Sequence, residues 1–240
     1  MRIIFSRKGF DSAAGGGPSP IVDGRPISLP IPAGAASATT YGDLGLGDHC
    51  ARASKGRHDA EALCHHDPMF LPDGRCLFGQ VGAAQTHLAN QGVGVGDVFV
   101  FFGLFREEGG DPHHRIFGFL EVEELIALAD GVPDWLVDHG HPHALAMHGK
   151  NDTIYAGPGQ TAVRASDALR LTIPEGPPSL WRRPDWLKPG GLSYHDRPDR
   201  WAGEQRLRSV ARGQEFVADI GRRQAPREWL ARIRGEITGS

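Results

Sequence analysis

Long apolar runs are missing from this 240-residue chain: nowhere do about eighteen consecutive apolar residues occur, which argues against a membrane-spanning helix and a membrane partner. Cysteine is scarce. Cys50, Cys64 and Cys76 are too few for a disulfide framework and fit a reducing compartment, so the cytoplasm is the expected location. The first residues carry one early Arg and a short apolar run, Ile3-Ile4-Phe5, which does not make a signal peptide. Two familiar catalytic loops are absent as well: the sequence shows neither a nucleophile elbow nor a Walker loop. Gly15-Gly16-Gly17 lacks the following Lys-Ser/Thr, and Gly92-Val93-Gly94-Val95-Gly96 enters a strand rather than a helix. NTP hydrolysis and dinucleotide binding are therefore not expected. No internal repeat is visible.

Glycine and proline are abundant instead, at 33 and 18 residues, high for a helical bundle but short of disorder. With 40% apolar and 23% charged residues, the chain can bury a substantial core, and it is read as one domain over 1–240. Its apolar periodicity predicts a strand at residues 1–6 and an extended edge segment at 26–32, whose prolines forbid a central position. Helices are expected at 43–64, around 83–88, at 204–212 and at 226–237, the last amphipathic through Trp229, Leu230, Ile233 and Ile237. The run Val98–Phe105 is apolar on both faces and reads as a central buried strand. A second strand is expected at 115–122, closed by a helical 123–129, with short strands at 144–148, 153–156 and 168–173. The Gly96-Asp97 turn before an apolar strand, with a Gly118-containing strand ending Glu121-Val122, resembles the core of PUA-like barrels such as ASCH and EVE domains. The expected fold class is α+β: a mixed β-sheet or PUA-like barrel core with peripheral helices.

Charge is unevenly spread. Residues 181–240 hold 12 Arg and one Lys against eight Asp or Glu, a balance of +5, so the first 180 residues carry −8 of the net −3. Four of the five tryptophans, Trp181, Trp186, Trp201 and Trp229, lie in that basic segment, which is read as a helical C-terminal portion. Cations neutralise phosphate and aromatic faces stack on unpaired bases, so this portion is a candidate nucleic-acid surface; the alternative is core tryptophans beside a solvated basic face.

At the N-terminus the apolar Ile3-Ile4-Phe5 delivers Ser6-Arg7-Lys8-Gly9-Phe10-Asp11-Ser12 and then three glycines, a strand emptying into a loop that can approach a ligand closely. Arg7 and Lys8 supply charge for an anionic ligand. This block, followed by Gly16-Gly17-x-Ser19-Pro20-Ile21, Tyr41-Gly42-Asp43, His66-Asp67-Pro68, Phe78-Gly79-Gln80, Gly96-Asp97-Val98-Phe99, Phe117-Gly118-Phe119, Ser193-Tyr194-His195 and Gly213-Gln214-Glu215-Phe216, resembles the bacterial nucleotide modification associated domain 3 (Nmad3) family. The blocks run in order from about residue 2 to 220. The resemblance implies a place among nucleotide and DNA-base modification systems, without a defined reaction.

Histidine, at twelve copies, is the polar speciality. Cys64-His65-His66-Asp67 and the distant Cys76 contain zinc-type donors, but adjacent side chains on a regular element point apart and no paired knuckle is present. His139-x-His141-x-His143 is interrupted by Gly140 and Pro142 and reads as a loop. No metal ligand is assigned on spacing: tight zinc is not expected, and weak magnesium at Asp11 and Asp67 is compatible with the residues. Cofactors stay undefined. Two functions remain open, an enzyme acting on a nucleotide or DNA base and a non-catalytic reader of modified bases; a nucleotide or nucleic acid, DNA in preference to RNA, is the expected partner. In the first, Asp11, His66, Asp67 and His195 are catalytic candidates, while Ser6, Arg7, Lys8, Ser12, Tyr194, Gln214 and Glu215 bind substrate, Gln214 reading a base edge. The candidates are expected to line one cleft beside 98–105, with Trp181–Trp201 as a wall.

Overall fold

The computed structural model describes residues 1–33, 37–146, 149–203, 205–210 and 215–240. Its strands are β1 (Arg2–Arg7), β2 (Ser19–Val22), β3 (Arg25–Pro26), β4 (Met69–Phe70), β5 (Arg75–Gln80), β6 (Val98–Glu107), β7 (His113–Glu121), β8 (Glu124–Ala127), β9 (Thr153–Thr161), β10 (Leu180–Arg182), β11 (Arg206–Arg208) and β12 (Glu215–Asp219). The helices are α1 (Gly47–Ser54), α2 (Gly82–Asn90), α3 (Asp134–Asp138), α4 (Pro142–Leu145) and α5 (Gln224–Thr238). Ten of the strands form one mixed, curled half-barrel sheet whose main path runs β12-β1-β6-β7-β9-β5-β4. The fold is α+β, as the residue pattern implies.

β6 is the strand on which this sheet is built. Val98, Val100 and Phe102 face one core, shared with Trp181, Trp229 and Leu230, while Phe99, Phe101 and Phe105 face another, shared with Phe78, Leu120 and Tyr155. Burying each such side chain stabilises the fold by about 1.5–3 kcal/mol. One edge of β6 is covered by antiparallel β7; the other is covered twice, by parallel β1 as far as Arg7↔Phe102 and then by β2 from Ser19↔Phe105. Residues 8–18 are thus an excursion from what is otherwise one line of pairing. Gly103 lets it leave, since a Cβ there would stand 2.7 Å from the Lys8 carbonyl oxygen, and the Lys8 N–H still reaches Phe102 O at 2.8 Å. The buried Asp97 carboxylate anchors the strand's start by accepting Arg2 N–H at 2.6 Å and Gly94 N–H at 2.9 Å.

Several expected elements are different in kind. The helix of 43–64 is reduced to α1, stopped by Lys55 and Gly56 in the left-handed region. Residues 123–129 hold β8, drawn into pairing by β9, and then a 3-10 turn at Leu128–Asp130. Within 144–148, Leu145 ends α4 and residues 147 and 148 lie outside the described residues. Residues 168–173 make only single bridges, Arg115↔Arg170 and Thr172↔Trp181, and of 26–32 only Pro26 belongs to a strand. The expected helix 204–212 contains β11, paired with β10; residues 204, 211 and 212 lie outside the described residues.

The basic C-terminal segment is correspondingly less helical than expected, with α5 its one described α-helix. Its tryptophans are taken up by packing. Trp181, Trp186 and Trp229 are 3%, 8% and 9% exposed, and Trp201 is half-buried with its indole N–H donated to the His195 carbonyl at 2.7 Å. Rings buried between α5 and the sheet are not available to stack on bases, so the aromatic half of the expected nucleic-acid surface is core.

Trp181 donates its indole N–H to His114 Nδ1 at 3.0 Å, which requires an unprotonated ring. Burial, with Arg7 and His113 nearby, holds the His114 pKa down at about 3. Its ordinary value is 6.5, so below that pH the unfolded chain takes up a proton that the folded chain refuses. Stability contributed by His114 is therefore complete above pH 6.5 and lost progressively as pH falls toward 3. His114→Asn, which keeps an acceptor for Trp181, should flatten the fall in urea midpoint over this interval by about one proton's worth, roughly 1.4 kcal/mol per pH unit at most. An unchanged slope in a folded variant would contradict the assignment.

Candidate functional site

The curl of the half-barrel brings its two margins together. Gln80, at the end of β5, donates its side-chain amide to Glu215 Oε1 at the start of β12, although these strands are far apart in the sheet order. Lys8 Nζ joins the same carboxylate oxygen at 3.1 Å and lies 4.3 Å from the centre of the Phe78 ring. Ser6 is paired with Glu215 in register, and both are buried. Ser6 Oγ and Glu215 Oε2 have no hydrogen-bond partner among the described residues. A cation between a buried carboxylate and an aromatic face is held by both its charge and its stem.

A second polar cluster stands at the end of β5. Asp67 Oδ1 accepts the Gly79 N–H at 2.9 Å, His141 Nε2 lies 3.5 Å from the same oxygen, and His65 Nε2 lies 3.8 Å from Oδ2. Burial would raise the Asp67 pKa, but the neighbouring His141, His65 and His143 outweigh it and hold the carboxyl below the usual carboxylate range. Burial keeps His65 neutral, its pKa pushed down to about 4 against the opposing pull of Asp67. His143 Nδ1 and Asp152 Oδ1 are 2.6 Å apart, and the His143 ring centre is 5.3 Å from that of His65. One ligand atom each from His65, Asp67 and His143 fall within 4.8 Å of one another. Gly79 permits this packing: a Cβ on it would stand only 2.4–2.7 Å from three atoms of the His143 ring.

Two cavities meet here. One, of about 470 Å³, is lined by Arg7, Lys8, His65, Asp67, Gln80 and His143 among others. The other, about 240 Å³, shares Lys8, Gly9 and Asp67 and adds His66, Phe70 and Phe117. The larger volume lies in the range of small-molecule sites.

The sequence candidates divide between this place and others. Ser6, Arg7, Lys8, Asp11, Asp67 and Glu215 come together around the larger cavity or directly behind it, and His66 faces the smaller one. Asp67 makes its contacts with His65, His141 and the Gly79 N–H, and no hydrogen bond joins it to His66 among the described residues. Asp11 closes the loop: Oδ1 accepts Ala13 N–H at 2.7 Å and Ala14 N–H at 2.8 Å, while Oδ2 pairs with Arg7 at 3.1 Å. Ser12 is exposed at the loop tip. His195 is elsewhere; its ring stands edge-on to Phe216, 4.7 Å between centres, and Phe216 points to the opposite face of β12 from Glu215. Its Nδ1 is 2.8 Å from Ser193 O, and residues 193 and 194 form a turn with Tyr194 at φ +63°. Tyr194 is 40% exposed against His87, 4.4 Å between ring centres. Gln214 lies outside the described residues. A single cleft holding all the candidates, walled by Trp181–Trp201, is thus not formed, because β12 separates His195 from the Glu215 side.

Gln80 and Asp152 are not candidates in the sequence, and His65 and His143 stand there only in two separate histidine groups to which no ligand is assigned. The signal that could have found them is a pair of alternations, His65-x-Asp67 and His141-x-His143, each harmless alone.

Two outcomes follow from this geometry. Lys8→Met leaves the 3%-exposed Glu215 without its cation and should lower unfolding free energy by about 3 kcal/mol, with Lys8→Met/Glu215→Leu recovering part of it; urea denaturation of both measures this. Gly79→Ala should cost about 1–3 kcal/mol by forcing His143 aside, visible as shifted histidine resonances in NMR spectra, whereas Gly94→Ala, beside open space and without a positive φ, should leave them in place.

No curated protein and no solved structure matches this chain. The profile of the family described as nucleotide modification associated domain 3 matches residues 2–219, which takes in β1 through β12 and every residue of the two cavities. The chain belongs to the nucleotide modification associated domain 3 family.

Proposed function

We propose that this protein is an enzyme acting on a nucleotide, or on a base of a nucleic acid, at the junction of the two cavities. The observation that carries the reading is the buried, ionised Asp67 set among imidazoles where both cavities meet. A carboxylate held ionised can orient a water or reacting group by accepting its hydrogen bond, and the neutral imidazole of His65 beside it, the more basic of the two, is the group equipped to take the proton. Gln80, on the wall of the larger cavity, carries the donor and acceptor that a base edge requires. Phe70 and Phe117 give the smaller cavity apolar faces for a flat ring. Arg7 and Lys8, each already paired with a carboxylate, contribute orientation more than net positive charge. The nucleic-acid partner suits a family of nucleotide modification associated domains, and DNA in preference to RNA is part of the proposal.

The test is a panel of nucleoside phosphates and short oligonucleotides, with binding followed by calorimetry and conversion by mass spectrometry. Wild-type protein should convert at least one ligand. Asp67→Asn should lower turnover by about a hundredfold or more while changing affinity only a few-fold, the pattern of a group acting in the transition state. Tight binding of a base or oligonucleotide with no conversion by the wild type would replace the enzyme with a reader of modified bases.

A further inference from the structure

His141 is fully buried, and neither of its ring nitrogens has a hydrogen-bond partner among the described residues. A buried imidazole nitrogen without a hydrogen bond costs about 1–3 kcal/mol, so this ring, whose one charged neighbour through Nε2 is Asp67, calls for an explanation. Its Nε2 stands 3.5 Å from Asp67 Oδ1, beside the three side chains whose ligand atoms already lie within 4.8 Å of one another. The His141 and His143 ring centres are 5.7 Å apart. Asp152 holds His143 through Nδ1 at 2.6 Å, which reproduces the carboxylate–histidine support typical of metal ligands.

Charge points the same way. Arg7 pairs with Asp11 and Lys8 with Glu215, while Asp67 and Asp152 stand against imidazoles, a setting whose charge a divalent cation would complete. We propose that His65, Asp67 and His143, with His141 beside them, bind one divalent transition-metal ion of the iron, cobalt or zinc class. Two imidazoles and one carboxylate suit such ions, whereas magnesium and calcium take all-oxygen sets. The expectation of no tight zinc weighed the two histidine groups separately; the tertiary structure puts them in one place. This inference uses the same cavity as the proposed enzyme but does not depend on its substrate.

The test uses the whole purified chain, stripped with chelator and titrated with Co²⁺ in the absence of any nucleotide. Visible d–d absorption should saturate at one ion per chain and be displaced by Zn²⁺. His65→Ala should weaken binding by about a hundredfold or more, and Asp152→Asn, which alters the carboxylate that holds His143 Nδ1, by about 10–100-fold, both with wild-type circular dichroism. No saturable absorption in the wild type would overturn the site, as would a folded His65→Ala that binds Co²⁺ like the wild type. Because these readouts need no substrate, failure to find a nucleotide reaction leaves them intact, and nucleotide conversion by metal-stripped protein would leave the enzyme standing without the ion.

Discussion

The constraint on which the rest of this structure depends is the complete burial of β6. A strand apolar on both faces must be covered on both faces and paired along both edges, because buried backbone groups cannot go without partners. The chain meets this with two cores and with a two-part cover, β1 then β2, along a single edge. The gap between those parts is where the Gly-rich N-terminal loop leaves the sheet. Lys8 is the first residue of the excursion, and its position over Phe78 follows from where pairing with β6 pauses.

Curling sets the second level of organisation. Once β5 and β12 approach across the half-barrel, Gln80, Lys8 and Glu215 form a polar seam at its mouth. Immediately beside it, Gly79 offers an N–H to Asp67 and leaves room for His143. One short segment of β5 therefore serves both clusters: its side chains alternate, so Gln80 faces the seam while the bare face of Gly79 receives the imidazole. Placing a charged seam next to a buried carboxylate–histidine cluster concentrates titratable groups in one cavity, which is the arrangement expected of a reactive site rather than of packing alone.

The opposite face of the sheet does different work. There Trp229, on α5, packs against Trp186 and Phe5, Trp181 packs against Phe5 and Phe216, and His195 caps the layer against Phe216. Basic composition in this part of the chain thus accompanies a core whose rings are spent on cohesion. The arginines that remain outside, among them Arg182, Arg206 and Arg232, are a solvated surface beside tryptophans that are buried or, at Trp201, half-buried.

What the sequence by itself determined is local. Continuous apolar β-formers at 98–105 specify a doubly buried strand, the Trp229-Leu230-Ile233-Ile237 spacing specifies α5, and the absence of long apolar runs agrees with a structure in which no described helix is long and apolar enough to cross a membrane. The family-like blocks were legible too, since they are contiguous strings. Elements with weak local preference were decided by partners: β8 forms because β9 offers an edge, and β11 because β10 does. The site belongs to this second kind. His65-x-Asp67 and His141-x-His143 are unremarkable pairs in separate loops, and Gln80 is one amide at a strand end. Only the curl of the sheet, with the missing Cβ of Gly79, brings them within reach of one another, and through-space proximity of that kind leaves no periodic mark on a chain.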